Sequence, residues 1–169
     1  MSPEDAVHLL KEANTPPEII EHCKAVAECA REIAMRYNKR HPHSSHADLE
    51  LVVIGALLHD IGRAQSDGID HAVLGAEIAR SFGLDVRVVR IIERHIGSGI
   101  PDQVAADLGL PVGNYLPETI EEMIVAHADN LVDGVLRIGI DERIRRMKRR
   151  GFDGDAIERM IRLHKTVME

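Results

Sequence analysis

Six ionisable side chains sit where the surrounding sequence is apolar and a charge needs a partner: His22, His59, Asp60, His71, His95 and Asp129. His59 and Asp60 end an apolar run over residues 51–58 that only Gly55 interrupts. A helix apolar on every face is a buried one. An imidazole and a carboxylate buried at its end cost on the order of several kcal/mol unless something pairs with them. The C-terminus of that helix carries partial negative charge and favours a cation. A divalent metal would satisfy His59, Asp60 and the helix end together. A structural His–Asp hydrogen bond is the other reading of the same dipeptide. Gly62 follows and reads as a left-handed stop.

The other four residues repeat the pattern. His22 lies on the stripe Ile19, Cys23, Val26, Ala30, Ile33, Tyr37. His71 opens the stripe Leu74, Gly75, Ile78, Phe82, and His95 closes Val88, Ile91, Ile92. Asp129 falls among Val125, Val132 and Leu136 at helical spacing. Each alone reads as a core residue bonded to backbone. Six unrelated cases in one chain would run against the rarity of buried ionisable groups that lack partners. Imidazole with carboxylate suits Fe, Mn, Ni or Zn better than Ca. Six ligands around one central aspartate suffice for two divalent ions bridged by Asp60. His127, two residues before Asp129, points elsewhere on its helix and reads as structural or exposed. His41, His43 and His46 fall in a polar stretch, 39–47, where Pro42 and two serines break regular spacing; it reads as a solvated loop.

The elements that must position these groups are helices. Ser2 with Pro3 starts a short one, ending near Ala13. The next runs over 17–37. Asp48 caps the central helix, Asp70 and Asp85 cap the two after it, Gly83 stops the first of those, and Gly75 permits close helix approach. Gly97-Ser98-Gly99 forms a loop whose N–H groups can face an anion. Residues 102–117 are irregular, with Pro111 and Pro117, and sit where a substrate lid would be. A helix over 120–135 carries Asp129. Asp141 and Glu142 cap a basic segment, 143–150, that Gly151 stops. A last amphipathic helix over 156–167 turns Ile157, Met160, Ile161, His164 and Met168 inward. The expectation is an all-α bundle forming a single domain over 1–169. Its motif-bearing core spans about 19–136, followed by basic and amphipathic C-terminal helices over 141–168.

Composition agrees. Of the residues, 44% are hydrophobic but only 2% aromatic, with no Trp, so the core is aliphatic and suits helix on helix. Net charge is 21 − 28 = −7, which argues against nucleic-acid binding by bulk charge and leaves the basic segment as a solvated face. Cys23 and Cys29 fall on different faces of one helix and should not bridge, consistent with a reducing, cytoplasmic setting. No apolar run is long enough to span a membrane, and the N-terminus lacks the basic-then-apolar pattern of a signal peptide.

The order His, His-Asp, Asp resembles that of the HD superfamily of metal-dependent phosphohydrolases. The resemblance covers about residues 19–136, and LLHDIGR here is very like that family's LLHDIGK. It implies that His22, His59, Asp60 and Asp129 hold a first ion. His71, in DHAVLGA, and His95, in IIERHIG, mark two-metal branches. The arrangement looks most like the branch that hydrolyses symmetrical dinucleoside tetraphosphates. It is also similar to the cyclic-dinucleotide phosphodiesterase branch, whose Gly-Tyr-Pro motif is missing here, and to di-iron oxygenases such as myo-inositol oxygenase. The loop between Asp60 and His71 is short for these relatives. The activity implied is hydrolysis of a phosphoester or phosphoanhydride of a small-molecule nucleotide by metal-activated hydroxide, with Asp60 bridging. Arg63 stands where relatives often have Lys and would steady a phosphate oxygen. Ser98, with the adjacent glycine N–H groups, is a further substrate-binding candidate. Two other classes use the same residues: a di-iron oxygenase, and a non-catalytic module that binds nucleotide or RNA.

Overall fold

The computed structural model describes residues 1–43 and 46–169. Ser44 and Ser45, which the sequence pattern assigns to a polar loop, lie outside the described residues. Among the described residues the chain is all-α but for one small hairpin and an isolated antiparallel bridge between Ile100 and Tyr115. Its helices are α1 (Pro3–Glu12), α2 (Pro17–Arg40), α3 (Leu49–Leu58), α4 (His71–Ser81), α5 (Val86–Arg94), α6 (Asp102–Asp107), α7 (Ile120–Asn130), α8 (Ile140–Arg149) and α9 (Gly154–Met168). A 3₁₀ turn, Ile61–Ala64, joins α3 to α4. Strands β1 (Val132–Asp133) and β2 (Leu136–Arg137) pair antiparallel between α7 and α8. No helix of the described residues is long and apolar enough to cross a membrane.

α3 is the hub because it has no polar face to give to water. Leu51, Val52, Ile54, Ala56, Leu57 and Leu58 are all buried, and the helix packs against α1, α2, α5 and α7. Its start is set by Asp48, whose side chain accepts the Leu51 N–H at 3.1 Å. Ser2 caps α1 in a reciprocal capping box with Asp5, and Asp85 caps α5. Cys23 and Cys29 are both buried and unbridged.

Several boundaries differ from the sequence expectation, each for a physical reason. Gly62 is not a left-handed stop: it lies inside the 3₁₀ turn and is not among the residues with positive φ. It is needed for approach, since a Cβ there would collide with the His71 carbonyl oxygen. Gly75 does permit close packing, its missing Cβ leaving room for Ile92 and the Gly62 amide. Asp70 does not cap α4; its carboxylate instead accepts the Ser66 hydroxyl at 2.6 Å. The buried face of α4 is turned toward Ala72, Ala76 and Ala79, and Phe82 is exposed. Asp141 and Glu142 lie in the first turn of α8, whose cap position is Gly139. α9 buries Met160, Leu163 and Val167, while Ile157, Ile161, His164 and Met168 are only partly covered.

The helix expected over 120–135 ends at Asn130. The chain then turns back at Gly134, which has φ +58°, to make the hairpin. A Gly at the first turn position between two paired residues is a two-residue hairpin signal, and it overrides helix propensity here. Leu136, expected beside Asp129, is exposed as a result.

Candidate metal centre

Helix ends build the site. α2 presents His22 one turn into the helix, and α3 delivers His59 at its C-terminus, with Asp60 next in the turn. α4 opens with His71, α5 is capped by His95, and α7 offers Asp129 in its last turn. The close approach at Gly62 holds the start of α4 against the end of α3 and so brings His71 to Asp60.

The structure brings all six together. Asp129 Oδ1 lies 3.0 Å from His22 Nε2 and 3.5 Å from His59 Nε2. Asp60 divides its oxygens: Oδ2 is 3.7 Å from His59 Nε2, while Oδ1 is 3.1 Å from His71 Nε2 and 3.4 Å from His95 Nε2. One carboxylate thus faces two histidine groups with different oxygens. His59, Asp60, His71 and His95 are buried; Asp129 and His22 are partly exposed.

Each imidazole is oriented from behind by a backbone carbonyl. The Nδ1 of His22 bonds Gly134 O, that of His59 bonds Ala56 O, that of His71 bonds Gly68 O and that of His95 bonds Ile92 O, all at 2.7 Å. A carbonyl only accepts, so each Nδ1 carries a proton and each ring turns its Nε2 inward, a lone pair until a proton or a metal ion takes it. Those lone pairs then face carboxylate oxygens and one another. His71 Nε2 and His95 Nε2 are 3.1 Å apart, and His59 Nε2 is buried with no hydrogen-bond partner. Converging acceptors of this kind need cations, either protons or metal ions. The donors form two groups able to hold an ion, His22–His59–Asp129 and His59–Asp60–His95, with His71 beside the second. Imidazole nitrogen with carboxylate oxygen is the donor set of a transition metal or zinc, so the residues present fit divalent ions.

The electrostatics are those of a strongly coupled cluster. Burial alone would raise the Asp60 carboxyl, but the charge of His59 and hydrogen bonds from His71 and His95 hold it well below the usual carboxylate range. Asp129 behaves likewise: burial raises it, and His22 and His59 bring it far down. For His59 burial opposes ionisation, yet the Asp60 charge lifts it well above an ordinary histidine. His22 is raised by the Asp129 hydrogen bond against the effect of burial. His95 is lowered, because there burial wins.

Arg63 is close to the cluster but engaged. Its Nε reaches Asp60 Oδ2 at 3.3 Å and its Nη1 donates to the Asp67 carbonyl at 3.0 Å. Ser98 bonds none of the six; it lines a cavity next to them. Of the glycines flanking it, Gly99 has its N–H occupied by the Ile96 carbonyl. His127 is fully buried rather than exposed, and its Nε2 meets His164 Nδ1 at 3.0 Å. His43 and His46 are exposed, and His41 stacks on Tyr37.

Three contributors were not read from the sequence. The first is the Gly134 carbonyl that orients His22, for which Gly134, the first residue of the two-residue loop, was an available hairpin signal. The second is Arg94, next to His95. It is buried, pairs with Glu118 at 2.8 Å and Glu122 at 3.0 Å, and donates to the Asn114 carbonyl, anchoring the end of α5. The third is Arg143, which the basic segment's reading as a solvated face left on the surface; it is partly buried in the cavity that Ser98 lines.

The sequence model of the HD domain family matches residues 19–132. A tRNA (cytidine(56)-2'-O)-methyltransferase of Thermoplasma volcanium is 52% identical over 147 residues, which cover 87% of this chain and 41% of that protein. The chain therefore spans about two fifths of that relative's length. An uncharacterized protein of Methanocaldococcus jannaschii is 45% identical over 165 residues, covering 97% of this chain and 95% of the other. Among solved structures, the HD domain of the Listeria monocytogenes phosphodiesterase PgpH in complex with cyclic-di-AMP superposes with a TM-score of 0.58. It does so at 17% identity, over 95% of this chain and 97% of that one.

Proposed function

This chain belongs to the HD domain family, and from that premise we propose that it is a metal-dependent phosphohydrolase. It would cleave a phosphoester or phosphoanhydride of a nucleotide. The observation that carries this is Asp60, whose two oxygens face two different histidine groups within one buried cluster. His22, His59, Asp60 and Asp129 would hold one divalent ion, and Asp60, His71 and His95 a second. Fe, Mn, Ni and Zn all suit these donors. Bound ions would supply a water acidified toward neutral pH and positive charge for the phosphoryl oxygens.

The chain's own residues do the rest. The four carbonyls behind Nδ1 keep each imidazole in one tautomer and one orientation. Asp60 spans both groups, so a shared nucleophile would lie within its reach. Arg63, already held toward Asp60, is placed to meet an anionic oxygen there. Aliphatic burial on three sides, from α2, α3 and α5, keeps bulk water from the back of the cluster. Residues 1–169 act as one unit in this reading, supported by the packing of α9 on α2 and α7 and of α8 on α9. A cytoplasmic setting is supported by two buried, unpaired cysteines.

The substrate classes to test are symmetrical dinucleoside polyphosphates, cyclic dinucleotides and nucleotides with a terminal phosphate. The test is metal analysis of anaerobically purified protein, then a hydrolysis screen across those classes with the nucleotide products separated by chromatography. About two ions per chain and hydrolysis of one class is the expected result. Oxygen consumption during turnover without nucleotide hydrolysis would make it a di-iron oxygenase instead. Salt-sensitive nucleotide or RNA binding without turnover would make it a binding module.

A further inference from the structure

The hydrolase reading leaves one feature beside the centre unused. A cavity of about 500 Å³ lies between the loop after His95 and the two C-terminal helices. Ile96, Gly97 and Ser98 on its wall follow His95 directly, and Ile69 lies two residues before His71, so chain neighbours of two cluster histidines line the cavity although none of the six does. Arg143, Arg150 and Arg159 also line it. Their neighbours Arg145, Arg146 and Arg149 all pair with Glu142 or Asp133 on the outer side of α8. The three in the cavity form no ion pair among the described residues, although Asp153 stands on the same wall. One oxygen of the Asp153 carboxylate, Oδ1, accepts the Ala156 N–H at the start of α9.

The Nε atoms of Arg143 and Arg159 are buried and have no hydrogen-bond partner. Both residues are partly exposed, but a buried guanidinium N–H without an acceptor is costly, and an anionic oxygen in the cavity would supply one. Burial lowers the Arg143 pKa, partly offset by the charge of Asp129, which places this arginine within electrostatic reach of the centre itself. The remaining walls are apolar. Met147 and Met160 are buried, and Phe152 stands half exposed at the rim. α8 and α9 lie outside the stretch matched to the family, 19–132, so this wall belongs to the chain's own C-terminal helices.

We propose that this cavity is a second-phosphate subsite, in which Arg143 and Arg159 hold a phosphate beyond the one at Asp60 and Phe152 faces the attached nucleoside. The proposal rests on the hydrolase reading and narrows it to substrates with at least two phosphates. A guanidinium fork suits a phosphate's oxygens, and an aromatic face suits a base.

The test separates the two ideas by measuring binding apart from turnover. Inorganic pyrophosphate is titrated calorimetrically into chelator-treated protein, without divalent ions. Arg143→Met, which keeps the aliphatic stem but not the charge, should weaken binding at least tenfold. Arg143→Lys should restore part of it, and Arg145→Ala, on the paired outer face, should change nothing. If Arg143→Met does not fold, Arg159→Met carries the same expectation. In the metal-loaded enzyme, the Met variants should lower kcat/KM at least tenfold for ADP relative to AMP. Unchanged pyrophosphate binding in the Met variants overturns the subsite, as does an equal loss in Arg145→Ala. Arg143-dependent binding with no hydrolysis of any nucleotide supports the anion subsite and overturns the hydrolase reading. Nucleotide hydrolysis with binding indifferent to Arg143 does the reverse.

Discussion

α7 serves two buried histidine clusters that could hardly differ more in chemistry. At its last turn Asp129 joins His22, His59, Asp60, His71 and His95. Two residues earlier, on another face, His127 meets only His164 of α9. In the first cluster every Nδ1 has a carbonyl and every Nε2 faces a carboxylate or another Nε2. In the second, one ring bonds the other, and the Nδ1 of His127 is buried with no partner. No carboxylate acts on His127; burial, with the charge of His164, pushes its pKa down to about 3. Burial of imidazole is thus common to both and diagnostic of neither. What makes one of them a cation site is the pair of aspartates in front of the rings and the backbone acceptors behind them.

The most severe way to break that distinction is Asp60→Ala. Without the carboxylate that faces both groups, metal content should fall and nucleotide hydrolysis should drop by a factor of about 10³ or more, roughly 4 kcal/mol of barrier. Elemental analysis with a chromatographic product assay checks both, and normal metal with normal turnover would remove Asp60 from the bridge. His71→Ala and His95→Ala should fold normally, because Ile91, Ile92 and Ala76 already bury their helices. Each should keep one ion per chain and lose most hydrolysis. His127→Ala, two residues from Asp129 in sequence but outside the cluster, should keep both ions. If His127→Ala stripped metal while remaining folded, the two clusters would not be the independent sites drawn above.

The second cluster has its own test in pH. His127 stays neutral in the folded protein down to about pH 3, whereas an unfolded histidine takes a proton below about pH 6.5. Below 6.5 the unfolded state therefore binds more protons, and stability falls as pH falls through the window from 6.5 to 3. Between pH 6.5 and 5 this one group should cost about 2 kcal/mol. Denaturant melts of wild type and His127→Leu over that range should show a steeper loss in the wild type. Parallel curves would mean that His127 is already protonated in the native state.

How legible each cluster was follows from what defines it. The six residues of the first stood out because apolar stripes surround them, and α3 was readable as a hub because no face of it is polar. Periodicity also placed His71 and His95 at helix ends. It could not supply the Gly134 carbonyl, since a helical pattern over 120–135 conceals a hairpin whose mark is the single Gly134. Nor could it separate Arg143 from Arg145 and Arg146. All three look alike in a basic run, and only the packing of α8 against α9 decides which one turns inward. Gly62 was read for its φ, but its function is to let α4 approach, a tertiary fact with no local signature. His127 and His164 escaped because their relation is a contact between two helices 37 residues apart in sequence.

The smallest expected effect concerns Arg63, which stands between ligand and substrate. It lies 3.3 Å from Asp60 Oδ2, a long contact, and its Nη1 is spent on the Asp67 carbonyl. Its side chain is 28% exposed, so solvent screens much of its attraction to Asp60. Asp60 keeps three imidazoles around it without Arg63, and losing one screened cation should not empty the site. A phosphate oxygen arriving beside Asp60 would instead meet the free Nη2. Arg63→Ala should therefore raise KM by about tenfold, equivalent to 1.4 kcal/mol of binding, with metal content unchanged and kcat within a few-fold. Arg63→Lys should recover part of the loss, since it keeps the charge but not the fork. A fall in metal content would make Arg63 a positioning residue for Asp60, acting on the carboxylate rather than on the substrate. Unchanged kinetics in both variants would take it out of the site and leave the cavity arginines as the chain's phosphate contacts.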